Sequence, residues 1–167
     1  MIEDTPEYAV GRHYLLYTDG ACKRNPDGPG GWGVVLQLRE GEAVLKTSEI
    51  SGGERVTTNN RMEMTAALRG LGKLMDPSVP VTVFSDSRNL IQGMTEWAPR
   101  WKANGWITPK RKSPDNLDLW QGLDEAAQRF LTVNWQWVKG HAGHPLNERA
   151  DALANEGLKA AARKRVT

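Results

Sequence analysis

The sequence predicts an α/β fold, a mixed five-stranded sheet with helices packed on its faces, on three observations. Apolar stretches at 14–18, 32–38 and 43–50 follow one another with short connections, the pattern of an antiparallel three-strand meander. Two further apolar runs, 81–84 and 131–138, each follow a segment of helical periodicity, so both can join the first strand in parallel through right-handed crossovers. The first and fourth strands end in acids, Asp19 and Asp86. Open α/β sheets bind their ligands at that edge.

The first strand is the run Tyr14, Leu15, Leu16, Tyr17, Thr18, broken by Gly20 after Asp19. A turn aspartate bonded to its own backbone explains Asp19 taken singly. The stretch 22–31 is rich in Asn, Pro, Asp and Gly and reads as a loop. The second strand places Trp32, Val34 and Leu36 on one face and Gly33 and Val35 on the other, and the third is more polar. Thr57, Thr58, Asn59 and Asn60 offer caps for a helix running to about 74, with Met64, Ala67, Leu68, Leu71 and Met75 as its core stripe. Gly70 and Gly72 within it suggest close packing on the sheet.

After the fourth strand, a helix over 87–95 gives way to an irregular stretch, 96–114, holding tryptophans and basic residues. A further amphipathic helix covers 116–130. The fifth strand presents Val133, Trp135 and Trp137 on one face, and a final helix covers 146–162. No repeat or linker divides the chain, so its 167 residues read as one domain, with an ordered core over about 12–160, a short flexible lead and a basic tail of Arg163, Lys164 and Arg165.

Composition narrows the class. The lone Cys22 excludes an internal disulfide framework and a cysteine-rich zinc site, which points to a reducing, cytoplasmic setting. Residues 1–8 lack the charge and apolar pattern of a secretory signal, and no apolar run approaches membrane-spanning length. Net charge is only +2, but Arg100, Lys102, Lys110, Arg111 and Lys112 follow one another with no acid among them, interleaved with Trp101 and Trp106 and preceded by Trp97. Such a basic, tryptophan-bearing segment suits contact with phosphates.

Two more acids can reach the edge that holds Asp19 and Asp86. Glu63 shares a helix face with Ala67, Leu71 and Leu74, and Asp151 shares one with Asn147, Ala154 and Leu158. Singly, a solvated helix acid explains Glu63, and the helix dipole explains Asp151. Four carboxylates together would repel and protonate unless a cation is present. An all-oxygen donor set of high negative charge suits Mg²⁺ or Mn²⁺ rather than zinc.

The runs Tyr17-Thr18-Asp19-Gly20, Thr57-Thr58-Asn59-Asn60-Arg61-Met62-Glu63, Ser85-Asp86-Ser87, Val138-Lys139-Gly140-His141-Ala142-Gly143-His144-Pro145 and Asn147-Glu148-Arg149-Ala150-Asp151 resemble those of type 1 ribonuclease H, the bacterial ribonuclease HI group, in order and over about 14–158. The resemblance implies a ribonuclease H-like fold and cleavage of the RNA strand of RNA/DNA hybrids, leaving 3′-hydroxyl and 5′-phosphate ends. It implies that Asp19, Glu63, Asp86 and Asp151 hold two Mg²⁺ ions, with Mn²⁺ able to substitute, Asp19 shared between them, and His141 assisting proton transfer or product release. It further implies hybrid contacts from Cys22, Asn25, Thr58, Asn59 and Asn147, and a DNA grip from the protrusion carrying Trp97, Arg100, Trp101, Lys102 and Trp106. Arg100, Lys102 and Trp106 are the favoured contacts there, because Trp97 and Trp101, four residues apart, can pack inward. His144 is expected to serve the turn into the last helix.

Two departures stand out: Ala21 where many relatives carry serine, and Arg100 where asparagine is frequent. Neither touches the four acids. The expected state is a monomer. Two other readings share much of the pattern, a catalytically silent hybrid-binding module and a same-fold DNA nuclease of the integrase kind. Retention of all four acids and His141 speaks against the first, and the protrusion with the TTNNRME run speaks against the second.

Overall fold

A computed structural model describes residues 11–140 and 143–163. Five strands, β1 (Arg12–Cys22), β2 (Gly28–Glu40), β3 (Ala43–Thr57), β4 (Val81–Ser85) and β5 (Val133–Trp137), form one sheet in the order β3-β2-β1-β4-β5. β1 pairs antiparallel with β2 and parallel with β4, and β5 extends the parallel half. The mixed sheet expected from the order of apolar runs is therefore the one observed. Its last parallel pair, Tyr17 with Phe84, leaves Asp19 and Asp86 two residues further along neighbouring strands.

The period of two along β1 divides its side chains between two layers. Leu16 faces α1 (Asn59–Lys73) and packs with Val34, Met64, Leu71, Val81 and Val83, a core that α4 (Leu117–Gln128) completes through Trp120 and Leu123. Leu15 and Tyr17 face the other way and meet Ala150 and Leu153 of α5 (Pro145–Arg163), together with Val35. Thr58 caps α1, its Oγ1 accepting the Arg61 N–H at 3.1 Å. Arg61 forks onto both oxygens of Asp118, 3.0 and 2.8 Å, and reaches Asn116 Oδ1 at 3.1 Å, tying the start of α1 to the start of α4. The Asp118 side chain is 65% exposed, so this pair sets orientation and contributes on the order of 1 kcal/mol or less.

Several elements differ from the sequence reading. β2 starts at Gly28 and β3 continues to Thr57, so part of the expected loop is strand. The reason is α5, which lies backbone to backbone on these strands: a Cβ on Gly31 would collide with the Ala154 carbonyl and the Leu158 amide, and one on Gly157 with the Gly52 carbonyl. These glycines signal close approach rather than chain reversal. The helix expected over 87–95 is α2 (Arg88–Gln92), followed by a wide π turn (Gly93–Trp97) and α3 (Ala98–Ala103), so helical structure enters the segment read as irregular. Pro99 sits in the first turn of α3, where a missing N–H is tolerated. Met75, placed in the core stripe by periodicity, is 86% exposed, because α1 ends at Lys73 and Leu74 takes the core position. Gly70 does pack against Leu16 and Val34, whereas a Cβ on Gly72 meets nothing within 4 Å.

The two kinds of glycine give opposite expectations. Gly72→Ala should stabilise the fold by about 1 kcal/mol, the helix-interior difference between these residues. Gly31→Ala should destabilise it by roughly 3 kcal/mol or more, since backbone must move to admit the methyl group. Urea unfolding of both variants checks the pair.

Candidate active site

The C-terminal edge of the parallel strands gathers the predicted acids. Gly20 does not end β1, which stays paired with β2 to Cys22; Asp19 stands inside the strand just past its pairing with β4, and Thr18 Oγ1 beside it donates to the Phe84 carbonyl at 2.9 Å, fastening β1 to β4 where their backbone pairing ends. Gly20 permits the next approach, because a Cβ there would lie 2.5 Å from the Glu63 amide. With nothing between them, α1 presses Glu63 against the strand end at 4% exposure. Ligand atoms of Asp19, Glu63 and Asp86 all lie within 4.8 Å of one another. Asp151 of α5 lies close enough to raise the proton affinity of Asp19 and lines the same cleft, together with Thr18, Asp86, Val138, Gly140, Asn147 and Glu148. Gly140 is again a position of close approach, since a Cβ would lie 2.8 Å from Asp86 Oδ2.

Concentrating these groups has an electrostatic consequence. Asp19 is pushed up from 3.8 to about 7, first by burial, then by the charge of Asp86 and by Asp151, against one backbone hydrogen bond from the Gly20 N–H at 2.9 Å. Glu63 is raised as well, by burial first and then by Asp19 and Asp86. Carboxyl groups this close hold protons at neutral pH or need a cation. Glu63 Oε2 is buried with no hydrogen-bond partner, which costs free energy unless something electropositive meets it. An orphaned carboxylate oxygen and a cluster that, among the described residues, consists of three carboxylates with no imidazole or thiolate in it together fit a hard divalent cation.

His141 lies outside the described residues, as do Ala142 and the Lys164 and Arg165 of the basic tail. His144, expected to serve the turn, accepts the Leu146 N–H on Nδ1 at 3.3 Å and stacks on Tyr17 with ring centroids 5.0 Å apart. One cleft residue escaped the sequence reading. Glu148 lies a turn before Asp151, and that i, i+3 spacing was the available signal.

Beyond the acids, the structure brings Asn25, Thr58 and Asn59 together in a polar recess that also includes Asn60, Asp115 and Asn116. The Asn59 N–H donates to Asn25 Oδ1 at 3.2 Å, linking the loop to the start of α1. Cys22 turns its thiol toward the Arg24, Gly28 and Thr57 carbonyls, with sulfur to oxygen distances of 3.6 to 3.9 Å. Trp97, Arg100 and Trp101 line a neighbouring groove with Lys110, Lys112 and Trp120. Trp101 meets Trp97 at 6.1 Å and Trp120 edge-on at 5.8 Å, so it serves the core and the groove wall together. Lys102 points elsewhere, paired with Asp124 at 3.0 Å, and Trp106 is half-buried against the core.

The RNase H family model matches residues 11–159. A ribonuclease H of Ruegeria pomeroyi is 56% identical over 145 residues, 87% of this chain and 92% of its own length. Among solved structures, LC9-RNase H1, described as a type 1 RNase H with the type 2 active-site motif, matches with a TM-score of 0.77 at 33% identity, covering 95% of this chain and 75% of that one. LC11-RNase H1, solved in complex with an RNA/DNA hybrid, matches with a TM-score of 0.62 at 28% identity, covering 89% and 98%.

The raised acids make cation-free stability depend on pH with a definite sign. Folded Asp19 and Glu63 bind protons more tightly than they do unfolded, so their contribution is fully present below about pH 4 and is lost as pH rises, for Asp19 through about 7. At roughly 1.4 kcal/mol per tenfold change in proton affinity, the loss amounts to a few kcal/mol. With chelator present, denaturant unfolding should show lower stability at pH 8 than at pH 5. Mg²⁺ should restore most of the difference, and Glu63→Gln should raise cation-free stability at pH 8. A flat or rising profile would contradict the picture.

Proposed function

The chain belongs to the RNase H family, and from that premise we infer that it is an endonuclease hydrolysing the RNA strand of RNA/DNA hybrids, leaving 3′-hydroxyl and 5′-phosphate ends. The observation that carries the inference to particular residues is the convergence of Asp19, Glu63 and Asp86 within 4.8 Å from β1, the end of β4 and a helix, with Glu63 Oε2 unsatisfied.

Asp19, Glu63, Asp86 and Asp151 would hold two divalent cations, Mg²⁺ with Mn²⁺ able to substitute. The chemistry such ions supply when bound is activation of a water and stabilisation of the leaving 3′-oxygen. The protein contributes rigidity. Asp19 and Asp86 are fixed by the β1–β4 ladder, Glu63 by burial, and Asp151 by the backbone seating of α5. His141, flanked in sequence by Gly140 and Gly143, would assist proton transfer or product release.

The hybrid lies across the acid cleft, the polar recess and the tryptophan groove. Asn147 lines the acid cleft and Cys22 flanks the recess, whose Asn25, Thr58 and Asn59 contact the duplex near the cut. Trp97, Arg100 and Trp101, which line that groove, face the DNA strand, with Lys102 and Trp106 of the same protrusion as further contacts. The chain acts as one domain and one copy, in the cytoplasm. No described helix is long and apolar enough to cross a membrane.

Labelled RNA/DNA hybrid, double-stranded DNA and double-stranded RNA, each incubated with Mg²⁺ or with chelator, test the reading. Cleavage should be confined to the RNA of the hybrid and abolished by chelator. Preference for double-stranded DNA, or activity surviving chelation, would overturn it. Asp19→Asn should keep the fold and hybrid binding while cleavage falls by on the order of a thousandfold or more. Cleavage at the wild-type rate would remove Asp19 from the site.

A further inference from the structure

Asp86 is followed by a turn that is tightly held. Ser85 Oγ accepts the Ser87 N–H at 3.0 Å, and Ser87 Oγ accepts the Leu90 N–H at 3.1 Å, so the chain leaves β4 in one geometry with Arg88 opening α2. The end of β5 lies alongside, where Ser85 pairs with Trp137. The Trp137 Nε1–H donates to the Asp86 carbonyl at 3.1 Å, locking the indole against the acid cluster from behind. The Arg88 guanidinium lies on that indole, its carbon 4.2 Å from the ring centroid.

Arg61, Lys102 and Arg149 are engaged with Asp118, Asp124 and Glu49, and of the three cation-ring contacts, with Arg69 on Trp32 and Arg129 on Phe130, that of Arg88 is the shortest and the one beside the acids. Among the described residues Arg88 forms no ion pair, and it is exposed. Stacking occupies one face of the guanidinium and leaves its in-plane N–H donors directed to solvent, the arrangement suited to forked binding of a phosphate. A fixed cation beside a cluster of acids also offsets their repulsion of an approaching polyanion.

We propose that Arg88 binds a phosphate of the RNA strand next to the cleaved bond, with Trp137 as its positioning residue. The proposal rests on the hybrid-cleaving reading above and adds to it a substrate contact outside the acids, the polar recess and the tryptophan groove. Arg88 is preferred to a contact on the DNA strand because it follows Asp86 by two residues, and so lies at the edge where the RNA is cut.

Steady-state cleavage of a labelled hybrid by the full chain, with Mg²⁺ and across a salt series, provides the test. If the wild-type chain fails to cleave hybrid, the functional reading fails and not this inference alone. With cleavage established, Arg88→Ala should raise KM roughly tenfold at low salt with kcat within about twofold, and the slope of log KM against log salt should fall by about 0.7 to 1, the value of one lost phosphate contact. Arg88→Lys keeps the charge and should keep the slope while KM rises less. Trp137→Phe, checked for folding by thermal melting, keeps a ring but loses the bond to Asp86, and should raise KM without changing the slope. Neutral methylphosphonate linkages beside the cut in the RNA strand should erase the difference between wild type and Arg88→Ala. An unchanged KM and slope for Arg88→Ala, a loss confined to kcat, or erasure by neutral linkages in the DNA strand instead would each overturn the assignment.

Discussion

Everything at the cleft depends on β1 being paired on both sides. Its antiparallel ladder to β2 and parallel ladder to β4 leave no freedom of register, because a slip of one residue would exchange Leu16 for Leu15 and turn every β1 side chain to the opposite layer. Asp19, still paired with β2 just past the last β4 pair, inherits that constraint. Asp19 and Asp86 stand together because two ladders of backbone hydrogen bonds place them so, despite a mutual repulsion that either alone would relieve by moving away.

The repulsion is thereby stored in the fold instead of being dissipated. Burial of Glu63, the near-neutral midpoint of Asp19 and the unsatisfied Glu63 Oε2 are three expressions of the same imbalance, an excess of negative oxygen over positive partners. A site arranged in this way favours cation binding at neutral pH and weakens it as protons compete, so cation and proton are alternative occupants of one place. The surroundings agree. The Gly20 N–H gives Asp19 a backbone donor, and the stacked Arg88 lies beyond the strand end.

Much of this was legible from residue order. Strand periodicity, helical crossovers and acids at two strand ends suffice for the sheet and for the pairing of Asp19 with Asp86, because parallel topology is a matter of connection length and handedness. What escaped reading were features decided by contacts distant in sequence. Gly31 looks like part of a turn until α5 is laid on it, and the polar β3 looks short because its outer face meets water. Lys102 belongs to a basic run by sequence and to Asp124 by geometry. The π turn before Pro99 joins two helices where composition shows only a breaker. His141, central to the resemblance, lies outside the described residues, so its place rests on sequence.

The glycine seam between α5 and the outer strands carries a consequence for how the molecule can vary. Where Gly31, Gly53 and Gly157 let main chain touch main chain, the spacing of helix and sheet is set by atoms that every residue shares. A side-chain contact can be refilled by many combinations of methyl and methylene groups, each shifting a helix slightly. A main-chain contact has no such alternatives. Asp151 is therefore carried on a rigid mount, insulated from drift in the apolar residues of the opposite layer. That layer, built from Leu16, Met64, Leu71 and Trp120, can be rebuilt for heat or cold without moving Asp151, whereas Glu63 rides on α1 and moves with it.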